Sequence, residues 1–385
     1  MTVEYLPRSL EKQVEQYRQI FPVVALLGPR QCGKSTLAKK LIGGDPSFIH
    51  LDMERPSDVQ KLADPELFFQ VNQGRNICID EIQLRPNLFP VLRTIVDDNR
   101  VNGRILLLGS ASRDLLQQSS ETLAGRIGYL ELTPFMSSEL IEVNRYDWQS
   151  HWLRGGFPDS YFQSDDAASS VWRENFIRTF VERDIPQISP AISPQNIRRF
   201  LTMMAHNQGQ VFNSTTLGAS LGLSHNTVRN YLDLIQQMFL LRMLPPLEAN
   251  VKKRLIKSPK VYLRDSGLLH RLLEIEDMNA LLGHPVLGFS WEGYVLEQIL
   301  SQNPSWTSSF YRTSNGTEID LILSKGNRRI AIEIKASTSP KVGPGFYHAL
   351  EDLGISEGFI IAPVQDSYPV NKNVTVTNLR SFQLA

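Results

Sequence analysis

The sequence predicts an α/β protein of three domains: a phosphate-binding domain first, a helical domain with winged-helix character next, and a second α/β domain last. Three observations predict it. A glycine-rich loop separates a compact apolar run from a helical pattern at Leu27–Thr36. The buried-strand pattern then disappears over residues 151–245 and gives way to helical spacing. It returns beyond Ser290 as strand signals that carry carboxylates and a lysine. A chain of 385 residues is long enough for two or three cores. The expected boundaries are 1–150, 151–270 and 271–385.

Composition narrows the function classes. The 40 Lys+Arg balance the 40 Asp+Glu, so bulk attraction for nucleic acid is excluded while a local basic face is not. Apolar residues at 42% and charged residues at 21% are those of a globular chain, not a disordered one. Cys32 and Cys78 are the two cysteines, which excludes a disulfide framework and suits a reducing compartment. The N-terminus is polar and lacks the apolar core of a secretion signal. The most apolar stretch, Ile105–Leu108, is far below membrane-spanning length. A cytoplasmic protein without a membrane partner is expected.

Leu10–Ile20 has the spacing of an amphipathic helix, and Phe21–Leu27 reads as a buried strand. Then come Gly28, Pro29, Arg30, Gln31, Cys32, Gly33, Lys34, Ser35 and Thr36, followed by helical spacing: G-x-x-x-x-G-K-S at a strand–helix junction. Glycines let the loop turn its amides toward phosphate oxygens, and the helix N-terminus adds partial positive charge. Lys34 would reach the outer phosphates and Ser35 would ligate Mg²⁺. ATP and Mg²⁺ are the cofactors expected.

Asn76–Glu81 reads as a buried parallel strand ending in two acids. Ligands of open α/β sheets bind at the carboxyl ends of strands, which places Asp80 and Glu81 beside the phosphates. Asp80 would hold Mg²⁺ through water and Glu81 would act as general base. The strand Arg104–Leu108 ends near Ser110, a candidate sensor of the γ-phosphate. Arg126, before the strand-like Ile127–Leu132, is a candidate to stabilise charge at a neighbouring subunit's γ-phosphate.

Residues 20–145 resemble the core of an AAA-type ATPase. GPRQCGKS, ICIDE, ILLLGSAS and LAGRIGYLELTPFMSSEL together resemble a family of bacterial and archaeal predicted ATPases. The C-terminal half of that family is an uncharacterised domain with a restriction-nuclease-like end. The resemblance implies ATP rather than GTP, and the chain carries no Asn/Thr-Lys-x-Asp guanine signature. It also implies a homo-oligomer, ring or filament, whose sites are completed by a neighbour's arginine.

Trp172–Asp184 is helical, with Arg178 and Arg183 on it. Thr216–Leu221 and a helix from His225 form a helix-turn-helix candidate, with Gly222 at the turn and Ser224 as N-cap. Leu217, Leu221, Val228, Leu232 and Ile235 supply its core. His225, Asn226, Arg229 and Asn230 would face outward where such a helix reads DNA. The stretch Val251–Lys260 holds five cations, Lys252, Lys253, Arg254, Lys257 and Lys260, with no acid among them. They read equally as phosphate contacts or as a solvated edge.

Trp291–Leu300 reads as an amphipathic helix and is followed by strands at Ser309–Arg312, Thr317–Leu323 and Arg329–Lys335. A hairpin loop at 325–328 pairs Ser324 with Arg329 and puts Asp320 opposite Glu333. Alternation places Ile319, Leu321 and Leu323 on one face and Glu318 and Asp320 on the other. The set resembles the D…E-x-K core of restriction-type nucleases. That resemblance implies Asp320 and Glu333 as Mg²⁺ ligands, Lys335 orienting water and Glu292 as a third acid; Ile319 stands where a proline often precedes the first acid. The fold class is thus α/β: a P-loop AAA-type ATPase domain, a helical/winged-helix middle domain and a restriction-endonuclease-like α/β domain. The expected function is ATP turnover coupled to DNA binding or remodelling, with metal-dependent cleavage open. The rival is a nucleotide-controlled assembly or signalling ATPase whose second half binds protein.

Overall fold

The computed structural model describes residues 5–43, 45–110, 121–248 and 255–384. By its contacts the chain divides into two compact units, Met1–Phe135 with Gln237–Phe239, and Met136–Gln236 with Leu240–Ala385.

In the first unit a helix at Glu11–Ile20 precedes β1 (Val23–Leu27). Then come β2 (Phe48–Asp52), β3 (Asn76–Asp80), β4 (Ile105–Gly109) and β5 (Ile127–Glu131). These five strands form one sheet in the order β2-β3-β4-β1-β5, all parallel. The central strands β1 and β4 are buried along their whole length, which is why their sequences are unbroken apolar runs rather than alternations. Parallel alignment brings the carboxyl ends of β1, β3 and β4 to one edge, where β1 runs into the phosphate loop and the helix Lys34–Ile42.

The second unit carries two sheets. The smaller, β6 (Gln210–Val211), β7 (Leu241–Leu244) and β8 (Lys260–Leu263), is antiparallel in the order β6-β8-β7. Between β6 and β7 lie the helices Ser214–Leu221 and His225–Gln237. Gly222 turns the chain between them at φ 67°, and Ser224 Oγ accepts the Thr227 amide at 3.1 Å. Leu217, Val228, Leu232 and Ile235 are buried, while His225, Asn226, Arg229 and Asn230 are exposed.

The larger sheet contains β9 (Thr307–Arg312), β10 (Glu318–Lys325), β11 (Arg328–Ile334), β12 (Gly358–Ile361), β13 (Tyr368–Asn371) and β14 (Val374–Thr377), ordered β13-β14-β12-β11-β10-β9. Its β10–β11 hairpin pairs Ser324 with Arg329, the register the loop residues predict. One expectation fails here. Ile319 does not share a face with Leu321 and Leu323: it packs with Ile322, Ala331 and Phe346, while Leu321 and Leu323 pack with Trp291 and Ile332. A register shift between Ile319 and Ile322 breaks the alternation, as an extra residue in a strand does.

The helix Leu287–Gln302 is not amphipathic either, since every residue from Ser290 to Leu300 is buried. Its apolar side chains join Trp152, Leu153, Leu244 and Tyr262 to the β10–β11 face in one continuous core. That shared core is why the residues expected to form a second and a third domain lie in one unit. Among the described residues no helix is long and apolar enough to cross a membrane.

Candidate nucleotide site and a buried acid cluster

The phosphate loop owes its path to two glycines. Gly28 lies so close to Leu132 that a Cβ would meet its carbonyl oxygen at 2.1 Å, and Gly33 takes φ 102° at the head of the helix. Lys34 is buried and donates to the carbonyls of Gly28 at 3.0 Å and Pro29 at 2.8 Å. Its ammonium thus lies along the loop it would serve. Cys32 is fully buried, its Sγ 3.4 Å from the Leu132 carbonyl, and burial pushes its thiol up. Arg30 is half-buried, 3.6 Å from Glu54, and Gln31 and Thr36 are exposed.

Ser35 Oγ donates to Asp80 Oδ2 at 2.6 Å, across from the helix to the end of β3. The other Asp80 oxygen accepts the Glu81 amide at 2.9 Å. A hydroxyl and a carboxylate meeting in this way are the hard oxygen donors that Mg²⁺ takes, and the site fits that ion. Glu81 follows the strand with φ 54°, a sharp departure that turns it off the sheet, and its carboxylate accepts from Gln83 Nε2. Ser110 is buried just past β4; residues 111–120 lie outside the described residues.

Arg126 stands apart from this group. It immediately precedes β5, at the amino end of the parallel strands, so about 16 Å of strand separates it from the loop that follows β1. Its guanidinium is held by Asp97 at 2.6 Å and by the Ala124 carbonyl at 2.8 Å. Arg178 and Arg183 pair with Glu182 and Asp184 on their own helical stretch.

Three side chains near the nucleotide site carried no sequence signal. Arg8 donates to the Cys32 carbonyl at 3.0 Å and the Thr133 carbonyl at 2.6 Å, bracing the loop from behind. His50 on β2 has its Nε2 4.0 Å from Asp80 Oδ2. Gln83 lies over Gly109, where a Cβ would meet its Oε1 at 2.6 Å. All three act across the fold, and a lone Arg, His or Gln in a sequence reveals no partner.

In the second unit Glu292, Asp320 and Glu333 are all buried, with Lys335 bonded to Glu333 at 2.7 Å. Burial, with the Asp320 charge beside it, pushes the Glu292 carboxyl up to about 7 and the Glu333 carboxyl up to about 8. Asp320 Oδ2 accepts the Ile334 amide at 2.9 Å. A fifth member is Lys260. It is 2% exposed, so it is no phosphate contact and no solvated edge, contrary to the expectation for the basic stretch. Its Nζ lies 3.0 Å from Glu292, 2.6 Å from Glu318 and 4.0 Å from Asp320. Burial pulls the ammonium down, but the carboxylates outweigh it and hold its pKa above the usual lysine range. With Lys260 among them, these carboxylates do not fit an open divalent site. Among the described residues no three His, Cys, Asp or Glu side chains are disposed to hold a metal ion. Lys257 is exposed, while Lys252, Lys253 and Arg254 lie outside the described residues.

Comparison with known proteins agrees with the first unit's geometry. Residues 21–141 match the family model described as AAA domain. Residues 145–279 and 287–382 match two models described as Domain of unknown function (DUF8612) and Domain of unknown function (DUF4143). An uncharacterized protein of Mycobacterium tuberculosis is 41% identical over 356 residues, covering 92% of this chain and 79% of that protein. An uncharacterized protein of Haemophilus influenzae is 23% identical over 288 residues, covering 67% of this chain and 70% of that one. Among solved structures, a Walker-type ATPase of Pyrococcus abyssi is similar at 15% identity and a TM-score of 0.47, covering 70% of this chain and 96% of that one. The chain belongs to the family of the mycobacterial protein, and its first unit is an AAA domain with a P-loop ATPase core.

Proposed function

We propose that the chain hydrolyses ATP and couples turnover to DNA binding or remodelling. The observation that carries the first half is the meeting of Ser35 and Asp80 at 2.6 Å, with Glu81 turned off the end of the same strand. On nucleotide binding, Lys34 exchanges the Gly28 and Pro29 carbonyls for phosphate oxygens, and the loop amides cradle the phosphates. Ser35, with Asp80 through water, would hold Mg²⁺, which would supply charge neutralisation at the phosphates. Glu81 leaves Gln83 and takes the proton of the attacking water. Ser110, at the end of β4, senses the γ-phosphate. Because Arg126 stands at the far end of the strands, its place in hydrolysis is at a neighbouring subunit's site, in a homo-oligomeric ring or filament.

The second half rests on the exposed face of the helix His225–Gln237. His225, Asn226, Arg229 and Asn230 are offered at its start, and Lys257 adds charge nearby in sequence. The six-stranded sheet with Asp320, Glu333 and Lys335 is read as restriction-nuclease-like in fold, and it serves as a binding platform. Cleavage is no part of this reading, because Lys260 stands among the carboxylates. The test is the ATPase rate with and without duplex, branched and single-stranded DNA, beside salt-dependent DNA binding. At least one DNA form is expected to bind and to raise the rate several-fold. Neither binding nor stimulation by any form would move the second unit to protein recognition.

A further inference from the structure

Glu292, Glu318, Asp320 and Glu333 gather where the helix Leu287–Gln302 meets β10 and β11. Carboxylates taken out of water demand positive charge nearby. Lys260 brings it from another sheet. Its Nζ is within 3.0 Å of two of these carboxylates and 4.0 Å from a third. Several carboxylate oxygens thus converge on one ammonium. Tyr262, two residues along β8, donates its hydroxyl to the same Glu292 oxygen at 2.5 Å, so one strand supplies both contacts. The other donors are engaged as well. Asp320 Oδ2 accepts the Ile334 amide and Glu333 Oε1 accepts Lys335, while the buried Glu333 Oε2 has no hydrogen-bond partner among the described residues.

We propose that Lys260 is the resident cation of this cluster: its ammonium takes the place of a divalent ion, so the chain binds no Mg²⁺ or Mn²⁺ there while β8 is in position. β8 is the middle strand of the winged sheet, paired with both β6 and β7. Lys260 is thus carried on a strand paired to β7, which follows the helix that presents Arg229, so a shift of that sheet would move the ammonium with it. This inference rests on the cluster alone and stands or falls apart from the ATPase reading.

The test is Mn²⁺ binding to the nucleotide-free full chain, followed by loss of the free-ion electron paramagnetic resonance signal. The unsubstituted protein is expected to show no site that disappears in Asp320→Asn. Lys260→Met is expected to gain one site, at least tenfold tighter than any in the unsubstituted protein, with a melting temperature that rises on adding Mn²⁺. Lys260→Met/Asp320→Asn should lose that site, and Lys260→Arg should gain none. A site in the unsubstituted protein that Asp320→Asn removes would overturn the proposal. So would a folded Lys260→Met that gains nothing. If Lys260→Met does not fold, the comparison of the unsubstituted protein with Asp320→Asn still decides.

Discussion

Ser35 and Asp80 are 45 positions apart in sequence, yet the hydroxyl of one donates to the carboxylate of the other at 2.6 Å. Parallel pairing produces that contact. β1 and β3 each flank β4 and run in the same direction, so the loop after one and the acid ending the other reach the same edge of the sheet. The consequences of this and the other contacts can be measured.

Arg126→Ala should leave ATP affinity within about twofold and lower turnover by about 10³-fold, the scale of a missing arginine at a transferring phosphoryl group. The guanidinium precedes β5 at the strand end away from the phosphate loop, which is why the proposed effect is on a second copy's site. Mixing Arg126→Ala with Lys34→Ala protein should restore part of the activity through hybrid sites. Turnover measured on the mixtures checks this, and no rescue at any ratio would count against action between subunits.

If DNA is the partner, two sets of residues should separate by their salt response. Neutralising Lys252, Lys253 and Arg254 should weaken binding to all sequences alike and reduce the slope of log affinity against log salt by about 3. Arg229→Ala, at an exposed position on the helix His225–Gln237, should instead change preference among sequences or shapes. Titrations at several salt concentrations with two DNA sequences distinguish the two outcomes, and unchanged affinity in both variants would count against DNA as the partner.

The acid limb of stability should carry the signature of Glu297. Burial opposes its charge, but Arg242 at 2.6 Å and Arg264 at 2.7 Å outweigh it and hold the carboxyl down at about 2. A carboxyl lowered in the fold contributes stability that is present above its unfolded value, near 4.3, and is lost as pH falls toward 2. The contribution is about 3 kcal/mol at neutral pH. Denaturant midpoints measured from pH 6 to pH 2 should therefore fall less steeply for Glu297→Gln than for the unsubstituted chain. Parallel slopes would show that the pair of arginines does not control this carboxyl.

The sequence made local features legible and cross-fold ones not. The phosphate loop could be read because its chemistry lies within nine consecutive residues, Gly28 to Thr36. The Ser324–Arg329 register could be read because a short polar loop leaves few ways to close a hairpin. The face of Ile319 could not, since a bulge costs one residue of register and leaves no compositional mark. The place of Lys260 is hidden for a related reason. Beside Lys252 and Lys253 it looks like one more surface cation, and only the fold brings Glu292, Glu318 and Asp320 around it. Trp291–Leu300 reads as amphipathic because Glu292 and Glu297 suggest a wet face; each is instead paired inside with cations from β7, β8 and the residue after β8.

The account turns on hydrolysis at the end of β3, and Glu81→Gln tests that most directly when ATP affinity and turnover are measured on the same preparation. The substitution keeps the shape of the side chain and removes its capacity to take a proton. ATP should bind within about twofold of the unsubstituted affinity, and the steady-state rate should fall by about 10²-fold or more. Lys34→Ala, as the companion variant, should lose binding itself. A Glu81→Gln protein that turns over ATP at the normal rate would contradict the account.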